Sequence, residues 1–328
     1  MIKTGEYKRI DIKTGYLCNN WCRFCVQAHN RALGNRTTDE IKETLKMAKN
    51  EGRSGVVFTG GEFTIRKDAI ELVRFAKELG FETIQIQTNG RRFADMNFLK
   101  AIMDAGANEF GSSLHGYNPE IHDYLTRSPG AWMQTVTGMR NIKKLAGYIV
   151  LNSVVVKPNY KYLEELAKLF VEIGVDQFQF AFMHAVGNAD LNFNSMMATA
   201  SEVAKYMKKG MLVGLEHGSM VMTEAMPYCL MRGFERYVAE LYMPKTSIKE
   251  KDRYIEDFDI VRKTQGKTLF PQCKKCRFRY ICEGPWREYP ERMGSNEFQP
   301  VYGKPILSPD EILENEEEFP IFPKLSEL

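Results

Sequence analysis

Seven cysteines stand in two groups in this chain of 328 residues: Cys18, Cys22 and Cys25 near its start, and Cys229, Cys273, Cys276 and Cys282 toward its end. An odd number, with no apolar signal segment over residues 1–13, argues against a disulfide framework. Thiolates are soft ligands, and three on one short loop at C-x3-C-x2-C spacing can converge on a single metal centre. A structural zinc ion usually takes four protein ligands, and His29 is the near candidate for the fourth. On a four-iron cluster, three cysteines leave one iron without a protein ligand and open to a small molecule. The competing readings are zinc completed by His29, or reduced cysteines packed as small apolar residues. In the second group Cys273, Cys276 and Cys282 follow the isolated Cys229, and four thiolates there suit either zinc or a [4Fe–4S] cluster.

Something must hold the first loop in place. Residues 8–14 read as a strand running into it. Residues 37–50 read as a helix that opens on a capping box, Thr37 with Glu40, and stops at Gly52. The alternation then continues: strands at 55–59, 82–88, 109–115, 148–157 and 177–183, and helices at 67–79, 95–105, 132–145 and 160–173. Strand and helix at this spacing imply parallel pairing with right-handed crossovers, in either an open doubly wound sheet or a partial barrel. Beyond residue 190 the periodicity weakens. A helix is expected over 200–209, the charged stretch 246–262 reads as a helix or an insertion, and the acidic stretch 308–328 reads as a short helix and a solvated end.

Parallel α/β sheets bind ligands at the carboxyl ends of their strands, and candidate residues cluster there. The second strand ends in Thr59-Gly60-Gly61-Glu62, whose glycines admit close approach and whose carboxylate can accept from an ammonium group. The third ends in Thr88-Asn89-Gly90, which turn chemistry alone can explain. The fourth ends in Ser112-Ser113-Leu114-His115-Gly116. Arg127 follows in a loop, where its fork suits a carboxylate. Asn152 is a polar residue within an apolar strand and needs a partner.

The cysteine spacing, with Phe24 just before the third cysteine and Gly-Gly-Glu one strand downstream, resembles the signature of the radical S-adenosylmethionine (SAM) superfamily. The resemblance implies a partial (β/α)6 barrel of parallel strands. It implies a [4Fe–4S] cluster on Cys18, Cys22 and Cys25, with SAM bound to its open iron. It places Phe24 near the adenine and Gly60, Gly61 and Glu62 at the SAM amino group. Thr59, Thr88, Asn89, Ser113, Arg127 and Asn152 join them as cofactor-binding candidates. Phe63 stands where relatives often have proline. The later cysteines resemble the SPASM and "twitch" extensions, which implies an auxiliary [4Fe–4S] cluster on Cys229, Cys273, Cys276 and Cys282 in a small C-terminal cysteine-rich extension. The expected division is a core over 1–215, an auxiliary region over 216–305 and an acidic tail over 306–328.

The net charge of +3 and the absence of a basic stripe give no sign of nucleic-acid binding, and no apolar run is long enough to span a membrane. The expectation is a cytoplasmic oxidoreductase whose 5′-deoxyadenosyl radical takes hydrogen from a peptide or protein, with an external electron donor. The alternatives are small-molecule or cofactor biosynthesis, and, in another class, a zinc-binding structural or interaction protein. His184 and Asp190 are expected to line the site, or to be satisfied polar loop residues. Trp286 and Tyr289 are expected beside the auxiliary cluster.

Overall fold

The computed structural model describes residues 8–323. Six strands fall where apolar periodicity puts them: β1 (Lys8–Lys13), β2 (Gly55–Thr59), β3 (Thr83–Thr88), β4 (Glu109–Ser112), β5 (Tyr148–Val155) and β6 (Gln177–Phe182). The helices between them are α1 (Thr38–Asn50), α2 (Ala69–Glu78), α3 (Met96–Asp104), α4 (Pro119–Thr126), α5 (Ala131–Lys144) and α6 (Leu163–Ile173). The capping box of α1 is complete, with Thr37 and Glu40 exchanging hydrogen bonds. Every neighbouring pair from β1 to β6 is parallel.

The strands alternate. Ile10, Ile12, Ile84, Ile86, Phe178 and Phe180 are fully buried. Arg9, Asp11, Lys13, Gln85, Gln87, Gln177 and Gln179, on the opposite face, are only partly covered. A doubly wound sheet with helices on both faces would be apolar on both. Here one face packs on helices and the other is a polar lumen. The sheet also curls. Arg9 on β1 and Glu224, at the end of a seventh strand, lie close enough for their charges to interact. Six strand spacings on a flat sheet would separate them by roughly 29 Å.

Three more strands complete the sheet, in the order β7-β6-β5-β4-β3-β2-β1-β8-β9. β7 (Met220–Glu224) runs parallel to β6, β8 (Lys245–Lys249) runs parallel to β1, and β9 (Tyr254–Ile255) is antiparallel to β8. The charged stretch from residue 246 is therefore neither helix nor insertion at its start. It supplies a strand paired on both sides, with β1 and β9, whose Thr246 and Ser247 are buried.

Two short turns, α7 (Asn188–Leu191) and α8 (Phe193–Met196), precede α9 (Ala200–Glu216), which is longer than the expected 200–209. Gly210 and Gly214 do not stop it. A Cβ on Gly210 would lie 2.7 Å from the Leu163 carbonyl oxygen, and one on Gly214 would lie 2.5 Å from the Phe178 ring. These glycines let α9 sit close against α6 and β6.

The acidic C-terminal stretch is not a solvated end over its described part. Ile306, Ile312 and Phe319 are buried, and Arg236 donates to the carbonyls of Leu313 and Phe319.

Candidate active site

The first cysteine loop is anchored from three directions. Trp21 N and Arg23 N donate to Thr126 O and Leu125 O at the end of α4, both at 2.9 Å. Arg91, in the turn after β3, donates to Asn19 O and Asn20 Oδ1, both at 2.7 Å. On the far side Asn188 Nδ2 donates to Cys22 O at 2.9 Å and Asn192 Nδ2 to Arg23 O at 3.0 Å. Arg91, Asn188 and Asn192 carried no signal in the motif. Asn188 and Asn192 do have the i, i+4 spacing that puts two side chains on one helical face.

Burial, then the Glu62 charge, pushes the Cys18 thiol up to about 11. Cys22 is raised too, by burial and then by Cys25 and Cys18, so the three thiols are mutual neighbours. Such thiols stay protonated at neutral pH unless a cationic centre takes the proton's place. His29 is exposed and stands outside this group. Among the described residues, no three His, Cys, Asp or Glu side chains converge closely enough for one metal ion, so the zinc site with His29 is not assembled.

The two glycines after β2 serve the protein's own backbone. A Cβ on Gly60, whose φ is +118°, would lie 2.3 Å from Gly15 O, and one on Gly61 would lie 2.2 Å from Leu17 O. In their place Gly61 N donates to Gly15 O at 2.7 Å and Glu62 N to Leu17 O at 2.8 Å. The chain entering the cysteine loop thus lies flat on the Gly-Gly turn. The Glu62 carboxylate is buried and already occupied. Oε1 accepts from Thr64 N (3.0 Å), Thr64 Oγ1 (2.7 Å) and Thr88 Oγ1 (2.7 Å), and Oε2 accepts from Asn89 N (2.7 Å). It fastens β2 to β3, and Oε2, which accepts from Asn89 N, keeps a lone pair for the expected ammonium contact. Asn89 Nδ2 continues the chain to Asn19 Oδ1 at 2.6 Å, back in the cysteine loop. Thr59 Oγ1 donates to Gln87 Oε1 at 2.7 Å in the lumen.

The other candidates fall around the same mouth. Ser113 and Asn152 form an isolated parallel bridge beyond the end of β4. Asn152 Oδ1 and the Ser112 and Ser153 hydroxyls are buried without hydrogen-bond partners. Ser112 and Ser153 alternate onto the helix-packed face with Phe110 and Leu151, whereas Asn152 shares the lumen face with Val150 and Val154, and its orphaned Oδ1 is what a polar ligand would satisfy. Arg127 is exposed, in left-handed backbone conformation (φ 53°), on the segment that anchors Trp21 and Arg23. Phe24 is buried edge-on against His115, with ring centroids 4.7 Å apart. His115 Nδ1 accepts from Val154 N at 3.1 Å, so the ring that supports Phe24 is itself fixed to β5.

The four later cysteines line one apolar cavity with Tyr228, Phe270, Phe278 and Phe298. Burial pushes Cys282 up to about 12 and raises Cys229, which also feels Cys282, Cys276 and Cys273. Val301 N donates to Cys276 Sγ at 3.4 Å. His184, just past β6, stacks on Trp286 with centroids 4.0 Å apart and bonds Glu288 at 3.1 Å, which ties the strand end to the cysteine-rich region. Asp190 is held by Arg292 and is partly exposed. Tyr289 is fully buried and packs on Phe182 and Phe298.

Residues 12–170 match the family model of the radical SAM superfamily. That segment belongs to the superfamily. Its members use a [4Fe–4S] cluster and SAM. It is 28% identical over 187 residues to an AdoMet-dependent heme synthase of Oleidesulfovibrio alaskensis, covering 56% of this chain and 47% of the relative. It is 29% identical over 199 residues to a probable GTP 3′,8-cyclase of Saccharolobus islandicus, covering 59% and 62%. These matches span about half to three-fifths of the relatives' lengths. Streptococcus suis SuiB bound to S-adenosylmethionine superposes with a TM-score of 0.62 at 15% identity, over 90% of this chain and 77% of that one. The anSMEcpe structure with bound AdoMet and Cp18Cys peptide gives 0.54 at 18% identity, over 66% and 63%. At such identities the likeness is one of fold. Among the described residues no helix is long and apolar enough to cross a membrane.

Proposed function

We propose that the chain is a radical SAM enzyme, carries a second [4Fe–4S] cluster on Cys229, Cys273, Cys276 and Cys282 and modifies a peptide or protein. The observation that carries the two-cluster reading is the single cavity lined by all four later cysteines. In the first site Cys18, Cys22 and Cys25 would hold the cluster. Arg127, Ser113 and Asn152 would meet the polar groups of SAM, and Phe24, backed by His115, would border its adenine. When bound, that pair supplies a 5′-deoxyadenosyl radical. The protein's part is to fix the loop, through Glu62, Asn89 and Arg91, and to present a substrate across the polar lumen.

The peptide reading is supported by the shared fold with SuiB, whose structure bound to a precursor peptide superposes at a TM-score of 0.59. Small-molecule chemistry is the second reading, favoured by the names of the curated relatives. Anaerobic reconstitution tests the cofactors: about eight irons per chain are expected, against about four for a single cluster and none for a zinc protein. The substrate class is tested with extracts of cells grown in heavy water, split into peptide and low-mass fractions. Deuterium entering 5′-deoxyadenosine from the peptide fraction alone supports the peptide reading, and deuterium from the low-mass fraction alone overturns it.

A further inference from the structure

We propose that Glu224 and Glu240, set in the wall of the lumen where the curled sheet closes, take up a positively charged group of the substrate. The inference rests on the reading of the lumen as the place where substrate is presented. On the peptide reading, the group is a lysine or arginine side chain.

The wall forms because the chain after β7 turns back on itself. Thr223 and Val238 make a parallel bridge, and Ala225 N donates to Glu240 Oε1 at 2.9 Å, which holds residues 238–240 against the end of β7. Glu224 alternates with the buried Thr223 and so shares the lumen face with Met222. Its neighbour on β6 is Ala181, whose methyl group leaves room beside it. Burial, then the Glu240 charge, raises the Glu224 carboxyl above the ordinary carboxylate range, yet the residue keeps accessible surface. A group that is deeply set and still accessible lines an internal space.

The two carboxylates have one ammonium between them. Lys267 Nζ donates to Glu240 Oε1 at 3.0 Å, and both side chains are more than nine-tenths buried. The other nearby cations are committed elsewhere. Arg262 forks onto both oxygens of Glu283, at 2.7 and 2.8 Å, and reaches Asp259 at 2.8 Å. Arg9 pairs with Asp11 at 3.4 Å and donates to Thr246 Oγ1 at 3.1 Å. Glu224 Oε2 receives the neutral amide of Gln179 at 2.9 Å. Glu240 Oε2 is buried without a hydrogen-bond partner, a costly state for a carboxylate oxygen. A purely structural ion-pair network closes its charges. This one holds two carboxylates, one ammonium and a spare acceptor, and a cation between Glu224 and Glu240 completes it.

The same cluster carries a donor without an acceptor. Trp286 Nε1 is buried and unpartnered. The Trp286 ring centroid lies 4.4 Å from Lys267 Nζ, the ring stacks on His184, and the backbone bridges Lys267. A ligand that offers a cation to the carboxylates and a carbonyl oxygen to the indole N–H satisfies both orphans. A basic residue within a peptide has both groups.

The test is anaerobic calorimetry on the reconstituted holoenzyme with SAM and no reductant, so that nothing turns over. The probes are Nα-acetyl-lysine methylamide, Nα-acetyl-arginine methylamide and, as the uncharged analogue, Nα-acetyl-norleucine methylamide. At least one cationic probe is expected to bind wild type about tenfold or more tightly than the norleucine probe, as charge-assisted hydrogen bonds provide. The tighter of the two identifies an ammonium or a guanidinium site. Glu224→Gln and Glu240→Gln keep the shape and remove one charge each, and the preference is expected to fall to about twofold in both. Trp286→Phe keeps a stacked ring and loses the N–H, and all three probes are expected to weaken alike, by about threefold, because all carry the carbonyls. No binding of either cation to wild type overturns the proposal. So does a norleucine probe that binds as well as the cations, or a preference kept in full by either glutamine variant. If Glu240→Gln does not fold, the wild-type comparison and Glu224→Gln decide. Deuterium entering 5′-deoxyadenosine from the low-mass fraction alone, with the cation preference intact, overturns instead the peptide reading and leaves the subsite standing.

Discussion

Glu62 and Asn89 are joined by a 2.7 Å hydrogen bond from the Asn89 amide to the Glu62 carboxylate, and Asn89 reaches on to Asn19 beside the first cysteine. The end of β2 and the end of β3 are thereby one unit, and the cysteine loop hangs from it. The carboxylate accepts four protein hydrogen bonds while buried. Glu62→Gln replaces one oxygen with a donor that faces donors. The expected cost is about 2–4 kcal/mol of stability, from lost charge-assisted bonds and an unsatisfied amide. Denaturant melts of the metal-free protein check the figure. Glu62→Asp, which keeps the charge and shortens the reach, should fall between.

Gly61→Ala isolates the role of the turn. The added Cβ would meet Leu17 O at 2.2 Å and the Tyr16 carbonyl carbon at 2.6 Å, both backbone atoms that cannot rotate away. The loop must shift, so the first site should lose its iron while the second keeps its own. Iron content should drop from about eight to about four per chain. A variant that retains about eight irons and normal SAM cleavage would show that the loop tolerates the shift.

Much of this was legible in the sequence because its signals are local. The thiols lie within eight residues, Thr37 and Glu40 cap their own helix, and Gly-Gly-Glu ends its own strand. What escaped is long-range. Arg91 and Asn188 meet the cysteine loop from about seventy and about one hundred and sixty residues away, and no periodicity marks them. β8 looked like part of a charged helix or insertion because it is short and polar, and its pairing with β1 spans more than two hundred residues. The helix expected over 200–209 runs on to Glu216, since weak periodicity does not mark the glycines that let it touch its neighbours. The Gly-Gly turn was read as room for a ligand, and its second use, the close seating of residues 15–17, is a long-range contact that the motif does not mark.

His122 gives the protein an acid sensitivity. Its Nδ1 accepts from His115 N at 3.1 Å, which requires the neutral ring. Burial, then the charge of Arg91, lowers its pKa from 6.5 to about 3. Because the folded value is depressed, the stability is fully present above pH 6.5 and is lost as pH falls toward 3. At pH 5 the loss from this group is about 2 kcal/mol. Urea melts between pH 7.5 and 5 should show it. His122→Asn keeps an acceptor but not the titration, so its stability should vary less with pH over that range.

The folded-back C-terminal stretch bears on the second site. Phe319 is 3% exposed and packs on Phe278, which stacks on Tyr228 with centroids 4.9 Å apart, next to Cys229. Its carbonyl receives the Arg236 guanidinium. Phe319→Ala should cost about 3–5 kcal/mol, as removal of a buried aromatic ring does. It should also open the apolar wall of the cysteine cavity to solvent and oxygen. After reconstitution, visible absorbance in air is expected to bleach in two phases, with the phase assigned to the second site faster than in wild type. The assignment comes from the Gly61→Ala variant, which should show the second-site phase alone. If bleaching of that phase is unchanged while the variant is measurably less stable, the C-terminal stretch supports the fold without shielding the site.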